Sequence, residues 1–194
     1  MKLEARVLEN RFVRLEPLGE YHRNGLRDAC NADEPFFAEQ YPFSMAGEHF
    51  DPRWEQMIKE REAGSWMHYG VVKDGICVGL TCFITPDSAN ATVEVGGTYY
   101  RPEVRGGALN PAAKRLMMGE AFDSGARRVA YHVDGINKRS QAAVLKLGAV
   151  QEGIRRQDRV TWTGRIRDTV IFSVLADEWP SVRDGLDARL AAFR

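Results

Sequence analysis

The stretch RPEVRGGALNPAAKRLMM, residues 101–118, decides how the rest of the chain is read. A glycine pair, Gly106-Gly107, runs into Asn110-Pro111 and then into good helix formers. Asn is a favoured helix cap, and Pro suits the first helical position, where its missing N–H would go unpaired anyway. Asn110 is therefore predicted to cap a helix that Pro111 opens. Ala113, Leu116, Met117 and Ala121 recur at helical spacing and put one apolar stripe on a core, and Gly125 supplies a left-handed stop. A glycine-lined helix mouth gathers free backbone N–H groups, to which the helix dipole adds partial positive charge. Two readings follow: a plain turn from strand to helix, or a phosphate cradle. The stretch is not GxGxxG and lacks the Gly-Lys-Ser/Thr ending of a P-loop, so both of those nucleotide sites fit poorly.

Upstream, residues 91–100 carry TVEVGGTYY and read as a strand that feeds the turn. Before it, HYGVVKDGICVGLTCFI holds two β-rich runs around Asp74-Gly75, a strong hairpin signal. A helix is predicted over 52–63, with Trp54, Met57 and Ile58 on one side and Gly64 ending it. Residues 31–48, rich in Phe, Tyr and Pro, read as an irregular, lid-like aromatic loop. A helix over 20–30 and an opening strand over 7–15 complete this half.

Downstream, residues 128–133 alternate as a strand, and NKRSQAAVLKLGA signals a short helix with Asn137 as cap, Ala143, Val144 and Leu147 inward, and Gly148 as stop. Two strands follow, over 150–162 and 168–175, separated by a turn at Thr163-Gly164. The tail, 176–194, reads as an amphipathic closing helix bearing Trp179, Val182, Leu186, Leu190 and Phe193. Hairpin strands in a block, followed by strands that each feed a helix, predict an α/β mixed sheet.

The chain has 194 residues, 44% hydrophobic and 28% charged, which suits a single domain over 1–194 with a core that needs no staples. Lys+Arg and Asp+Glu both number 27, so no net field draws in nucleic acid or an anionic membrane. Cys30, Cys77 and Cys82 form no CxxC pair, and His22, His49, His68 and His132 are scattered without ligand spacing; no metal is expected. The opening MKLEARVLENRFVRL has no apolar core of a leader, and no apolar run reaches membrane length, so a cytoplasmic protein is expected.

The element order, together with TVEVGGTYYRPEVRGGALNPAAKRLMM and DGINKRSQAAVLKLGAVQEGIRR, resembles the GCN5-related N-acetyltransferases (GNAT). More narrowly it resembles the branch that acetylates ribosomal protein N-termini. The resemblance runs from ENRFVRLEPL to VIFSVLADEWP and implies a mixed, mostly antiparallel sheet flanked by helices, with a splayed central strand pair. In that family a turn of the form Gln/Arg-x-x-Gly-x-Gly/Ala grips the pyrophosphate of acetyl-coenzyme A. Here Arg105, Gly106, Gly107, Ala108 and Asn110 fall on it, with Ala108 in place of a usual glycine and Asn110 in place of the last small residue. An asparagine followed four residues on by a lysine, as Asn110 and Lys114 are, is familiar in this branch.

Acetyl transfer to an amine needs a neutral amine, a site for the developing oxyanion and a proton for the departing thiolate. The resemblance implies that the coenzyme arm pairs with Thr98, Tyr99 and Tyr100, with Gly96-Gly97 marking a bulge. It implies Glu94 as general base, Asn137 on the cofactor arm and Ser140 as proton donor. Each also has an ordinary reading: Glu94 as a salt-bridged strand residue, Asn137 as the helix cap, Ser140 as a first-turn residue, with Tyr131 or water as an alternative acid. The aromatic segment 33–45 falls where the family's acceptor loop lies, so Phe37 and Tyr41 are candidates for the acceptor pocket, or equally core residues. The acceptor is an amine, a peptide α-amino group or a small antibiotic-like or amino-acid-derived amine. A noncatalytic acyl-coenzyme A binding module is the alternative of another class. A homodimer is expected by analogy, with the apolar tail helix as one contributing surface.

Overall fold

The computed structural model describes residues 1–193. The expected opening strand over 7–15 is a hairpin, β1 (Leu8–Asn10) with β2 (Val13–Pro17). Asn10 makes the difference: its Oδ1 accepts from the Phe12 N–H at 3.0 Å and closes a tight turn inside the run. A short turn of helix, Glu20–His22, leads into α1 (Arg23–Asn31), and α2 (Glu34–Gln40) follows directly. The loop expected over 31–48 is therefore helical in its first part. Pro35 sits in the first turn of α2, and Phe37 is wholly buried with its ring 4.8 Å from that of Tyr99 and 5.4 Å from that of Tyr41. Seven residues do not hold a helix alone in water; here the packing of Phe37 does so.

Next comes α3 (Phe50–Glu62), which turns Phe50, Trp54 and Met57 inward. The hairpin of β3 (Trp66–Lys73) and β4 (Ile76–Asp87) closes at Asp74-Gly75, where φ is 51° and 76°. The remaining elements are β5 (Thr92–Tyr100), α4 (Leu109–Asp123), β6 (Arg128–Asp134), α5 (Lys138–Lys146), β7 (Val150–Val160), β8 (Ile166–Leu175) and α6 (Trp179–Ala191).

All strands join one sheet in the order β1-β2-β3-β4-β5-β6-β8-β7. Every neighbouring pair is antiparallel except β5 with β6. Two apolar cores lie against it. One joins Met117 and Ala113 of α4, Val144 of α5 and Leu186 of α6 to Val129, Tyr131 and Phe172 of the sheet. The other joins α1, α2 and α3, through Leu26, Phe37 and Trp54, to Leu80, Cys82 and Tyr99. The mixed, mostly antiparallel sheet flanked by helices is thus observed.

The sheet opens in its middle. Strands β5 and β6 run in register only from Thr92↔Arg128 to Glu94↔Ala130, although β5 continues to Tyr100 and β6 to Asp134. On its other side β5 stays with β4, but the register slips between Leu80↔Tyr99 and Cys82↔Gly96. Gly97 takes φ +55° within that slip, a conformation side chains avoid, and the bulge turns the strand away from β6. This is the splayed pair.

Candidate functional site

The mouth of α4 meets the open end of the splay. A turn of helix at Pro102–Val104 is followed by Gly106 at φ +82°, and α4 starts at Leu109 with Ala108 in the cap position. The predicted Asn110 cap is thus corrected: Asn110 lies inside the first turn. Gly106 reverses the chain early enough that Ala108 is already helical, at φ −69° and ψ −23°, so its methyl group is unstrained. A Cβ placed at Gly106 or Gly107 would meet nothing within 4 Å, so the space over the turn is open. The first N–H groups of a fifteen-residue helix face that space. Arg105 braces the turn: its Nε donates to the Tyr100 carbonyl at 2.7 Å and its guanidinium pairs with Asp33 at 2.6 Å.

Among the described residues, the edge of β5 that faces β6 carries no strand partner beyond Glu94. Thr98, Tyr99 and Tyr100 lie on that stretch. The Tyr99 hydroxyl donates to the Ala29 carbonyl at 2.7 Å, which ties the strand to α1. The hydroxyls of Tyr100 and Tyr131 are buried without a hydrogen-bond partner among the described residues, and burial pushes both phenol pKa values up. Unpaired buried polar atoms beside an unpaired strand edge fit an extended polar ligand such as a coenzyme arm.

Glu94 sits at the last paired position and carries a partner that spacing in the sequence did not reveal. His132, from β6, places Nδ1 2.6 Å from Glu94 Oε2. Its Nε2 lies 3.1 Å from an Arg155 nitrogen of β7. Arginine can only donate, so Nε2 accepts and the proton is assigned to Nδ1, which donates to Glu94. Both side chains are partly accessible. Arg167 of β8 lies beneath, almost wholly buried, and donates to the His132 carbonyl at 3.2 Å. Burial pushes its pKa down against the pull of Asp134, whose carboxylate is 3.8 Å away.

Asn137 is the helix cap the sequence predicts: its Oδ1 accepts from the Ser140 N–H at 3.0 Å, leaving Ser140 half-buried in the first turn of α5. The mouth of α5 reaches α2, for the Arg139 guanidinium lies 5.6 Å from the Phe36 ring centroid, with Arg105 5.1 Å from the same centroid. Phe37 is buried and Tyr41 nearly so, so they shape this side from within the core. The segment is clasped by Trp162, whose indole N–H donates to the Phe37 carbonyl at 2.9 Å and whose backbone N–H donates to that of Pro42 at 3.2 Å.

Sequence reasoning missed Arg155 and Arg167, gave His132 no partner, and took Lys114 only as half of a familiar pair with Asn110. The alternation of 128–133 did place His132 opposite the core residues Val129, Tyr131 and Val133; its meeting with Glu94 needed the β5–β6 adjacency. Cys82 is fully buried with its thiol pKa pushed up, a protonated core residue. Among the described residues no group of three His, Cys, Asp or Glu converges, and no helix is long and apolar enough to cross a membrane.

The comparisons agree with this architecture. The family model for the acetyltransferase (GNAT) domain matches residues 13–150. No curated protein matches the chain in sequence. A GCN5-related N-acetyltransferase from Brucella melitensis superposes with a TM-score of 0.88 at 30% identity, over 97% of this chain and 87% of its own. RimJ of Mycobacterium smegmatis, in complex with CoA-disulfide, shares the fold at TM-score 0.79 and 20% identity, covering 91% of this chain and 88% of its own. The microcin C7 self-immunity acetyltransferase MccE, in complex with acetyl-CoA and AMP, does so at 0.74 and 21%, covering 86% and 93%. By the family model over residues 13–150 and the likeness to the Brucella melitensis protein over nearly the whole chain, the chain belongs to the GNAT family and is an N-acetyltransferase.

Proposed function

We propose that this enzyme moves an acetyl group from acetyl-coenzyme A directly to a primary amine within a ternary complex, the acceptor being a peptide α-amino group or a small amine. The observation that carries the reading is the Glu94–His132 pair, set where β5 and β6 part. The bound thioester supplies an activated acyl carbon and a sulfur leaving group. Gly106, Gly107, Ala108 and the first N–H groups of α4, Asn110 among them, hold the pyrophosphate, while Arg105 keeps the turn in shape. Thr98, Tyr99 and Tyr100 offer their free backbone edge to the arm, and Asn137 contacts it beside its capping bond.

Glu94 accepts the amine proton, directly or through water, and the His132 N–H fixes its carboxylate. Ser140, in the first turn of α5, serves in this reading as proton donor to the sulfur. Phe37 and Tyr41 set the shape of the acceptor side from behind, and their burial keeps water from that side. The Asn137-x-x-Ser140 element supports the N-terminus acetylating branch, and with it a cytoplasmic setting. A homodimer belongs to the same reading, though not through the tail helix as expected, since Trp179, Val182, Leu186 and Leu190 are buried in the core; β7 is an outer strand with Ile154 and Val160 exposed, and sedimentation at rising concentration reads it out.

The test is free-thiol release over a panel of peptides and small amines, with calorimetric titration of acetyl-coenzyme A. One acceptor class is expected to release thiol, and Glu94→Gln is expected to lower kcat on the order of 100-fold with cofactor affinity unchanged. Undiminished turnover of that variant sinks the assignment of the base. Cofactor binding without release for any acceptor favours a noncatalytic binding module.

A further inference from the structure

Lys114 is a buried charge that the fold does not need. It projects from α4, two turns past the glycine pair, and is 5% exposed. Its Nζ donates to Thr98 Oγ1 at 2.7 Å and reaches Thr81 Oγ1 at 3.4 Å, and it lies 5.9 Å from the centre of the Tyr131 ring. Among the described residues no carboxylate lies within 4 Å of it, whereas the buried Glu120 pairs with Arg6 and the buried Asp134 with Arg165. An unpaired buried ammonium costs several kcal/mol in general, and an apolar chain of the same length would fill the space without that cost. Burial pushes its pKa down to about 8. The titratable groups facing it, Cys82 of β4 and Tyr131 of β6, are themselves pushed up and neutral there.

The place of this charge is informative. Thr98 follows the Gly96-Gly97 bulge on the stretch of β5 that has lost β6, so Lys114 stands directly behind the open edge. The orphaned hydroxyl of Tyr131 belongs to the same side of the gap.

We propose that Lys114 is a positioning residue for acyl transfer: acting through Thr98, its buried ammonium holds positive potential behind the open edge of β5 and stabilises negative charge on the departing coenzyme sulfur. This rests on the reading that the thioester lies along that edge. In the step itself the amine nitrogen bonds to the acyl carbon, the carbon–sulfur bond breaks with its electron pair on sulfur, and the amine proton passes toward Glu94. Below pH 8 Lys114 keeps its proton throughout the step; in a poorly solvated site a fixed charge acts with little screening.

The test is the thiol titration of bound coenzyme A, followed by thiolate absorbance, in the wild type, Lys114→Met and Thr98→Val, alongside coenzyme affinity by calorimetry and folding by circular dichroism. The bound thiol is expected to titrate about one pH unit higher in both variants, a tenfold change in acidity. Coenzyme affinity below that pH is expected to be unchanged in Lys114→Met, and the fold in both variants. kcat is expected to fall on the order of 10- to 100-fold with little change in KM for acetyl-coenzyme A. Tight coenzyme binding with an unmoved thiol titration overturns the proposal alone. Absence of coenzyme binding by the wild type overturns the cofactor reading as well.

Discussion

Gly107 and Gly79 tolerate a methyl group very differently, and the difference separates binding from folding. A Cβ at Gly107 meets nothing within 4 Å, and its φ lies outside the left-handed region, so Gly107→Ala is expected to leave stability within about 0.5 kcal/mol. The same methyl group enters the space above the α4 mouth, and calorimetry is expected to show weaker coenzyme A binding. A Cβ at Gly79 falls 2.1 Å from the Tyr99 carbonyl oxygen, on the ladder that aligns β5. Gly79→Ala is therefore expected to cost about 2 kcal/mol or more in denaturant unfolding. At this scale the sequence was informative about residue type but not about conformation. Asn110 and Pro111 signalled a helix start, yet the backbone reverses at Gly106, so the cap fell to Ala108. His132 gave no signal on its own because its partner is 38 positions away in the chain.

The elements around the proposed acceptor side are held together in part by a clasp. Trp162, in the turn between β7 and β8, bonds to the carbonyls of Phe37 and Pro42 and stacks edge-on to His49 at 4.9 Å. Trp162→Ala is expected to speed amide hydrogen exchange over 34–46 and to raise KM for the acceptor more than KM for acetyl-coenzyme A. Equal exchange in both proteins overturns this account. The same segment shows why α2 was not legible. Its composition of Phe, Tyr and Pro has no helical stripe, and its helix is held by burial against Tyr99 and by Trp162. The Asp74-Gly75 hairpin and the α5 cap, by contrast, were fully legible, since φ above zero and a side-chain cap are local demands.

For the molecule as a whole, Lys114 links stability to pH in an unusual direction. Its pKa falls from 10.5 to about 8 on folding, mainly because burial disfavours the charge. Between those values the unfolded chain binds more protons at this site than the folded one, so stability rises with pH there. Wild type is expected to gain about 3 kcal/mol from this group between pH 8 and 10.5, measured as the difference from Lys114→Met in urea unfolding. Below pH 8 the variant is expected to be the more stable protein. A wild type whose stability tracks that of the variant across this window contradicts the buried, unpaired state of the ammonium.

By itself the sequence determined the periodicities, the hairpin, the glycine turn into α4, the balanced charge of 27 against 27 and the mixed sheet, because these follow from local geometry and composition; the family resemblance came separately, from the motifs of residues 92–118 and 134–156. Tertiary structure alone decided where β5 leaves β6, that Glu94 meets His132 there and His132 meets Arg155, and that Lys114 turns inward to Thr98. Strand order and register bring those groups together from distant parts of the chain, and no local pattern of residues records which strands become neighbours.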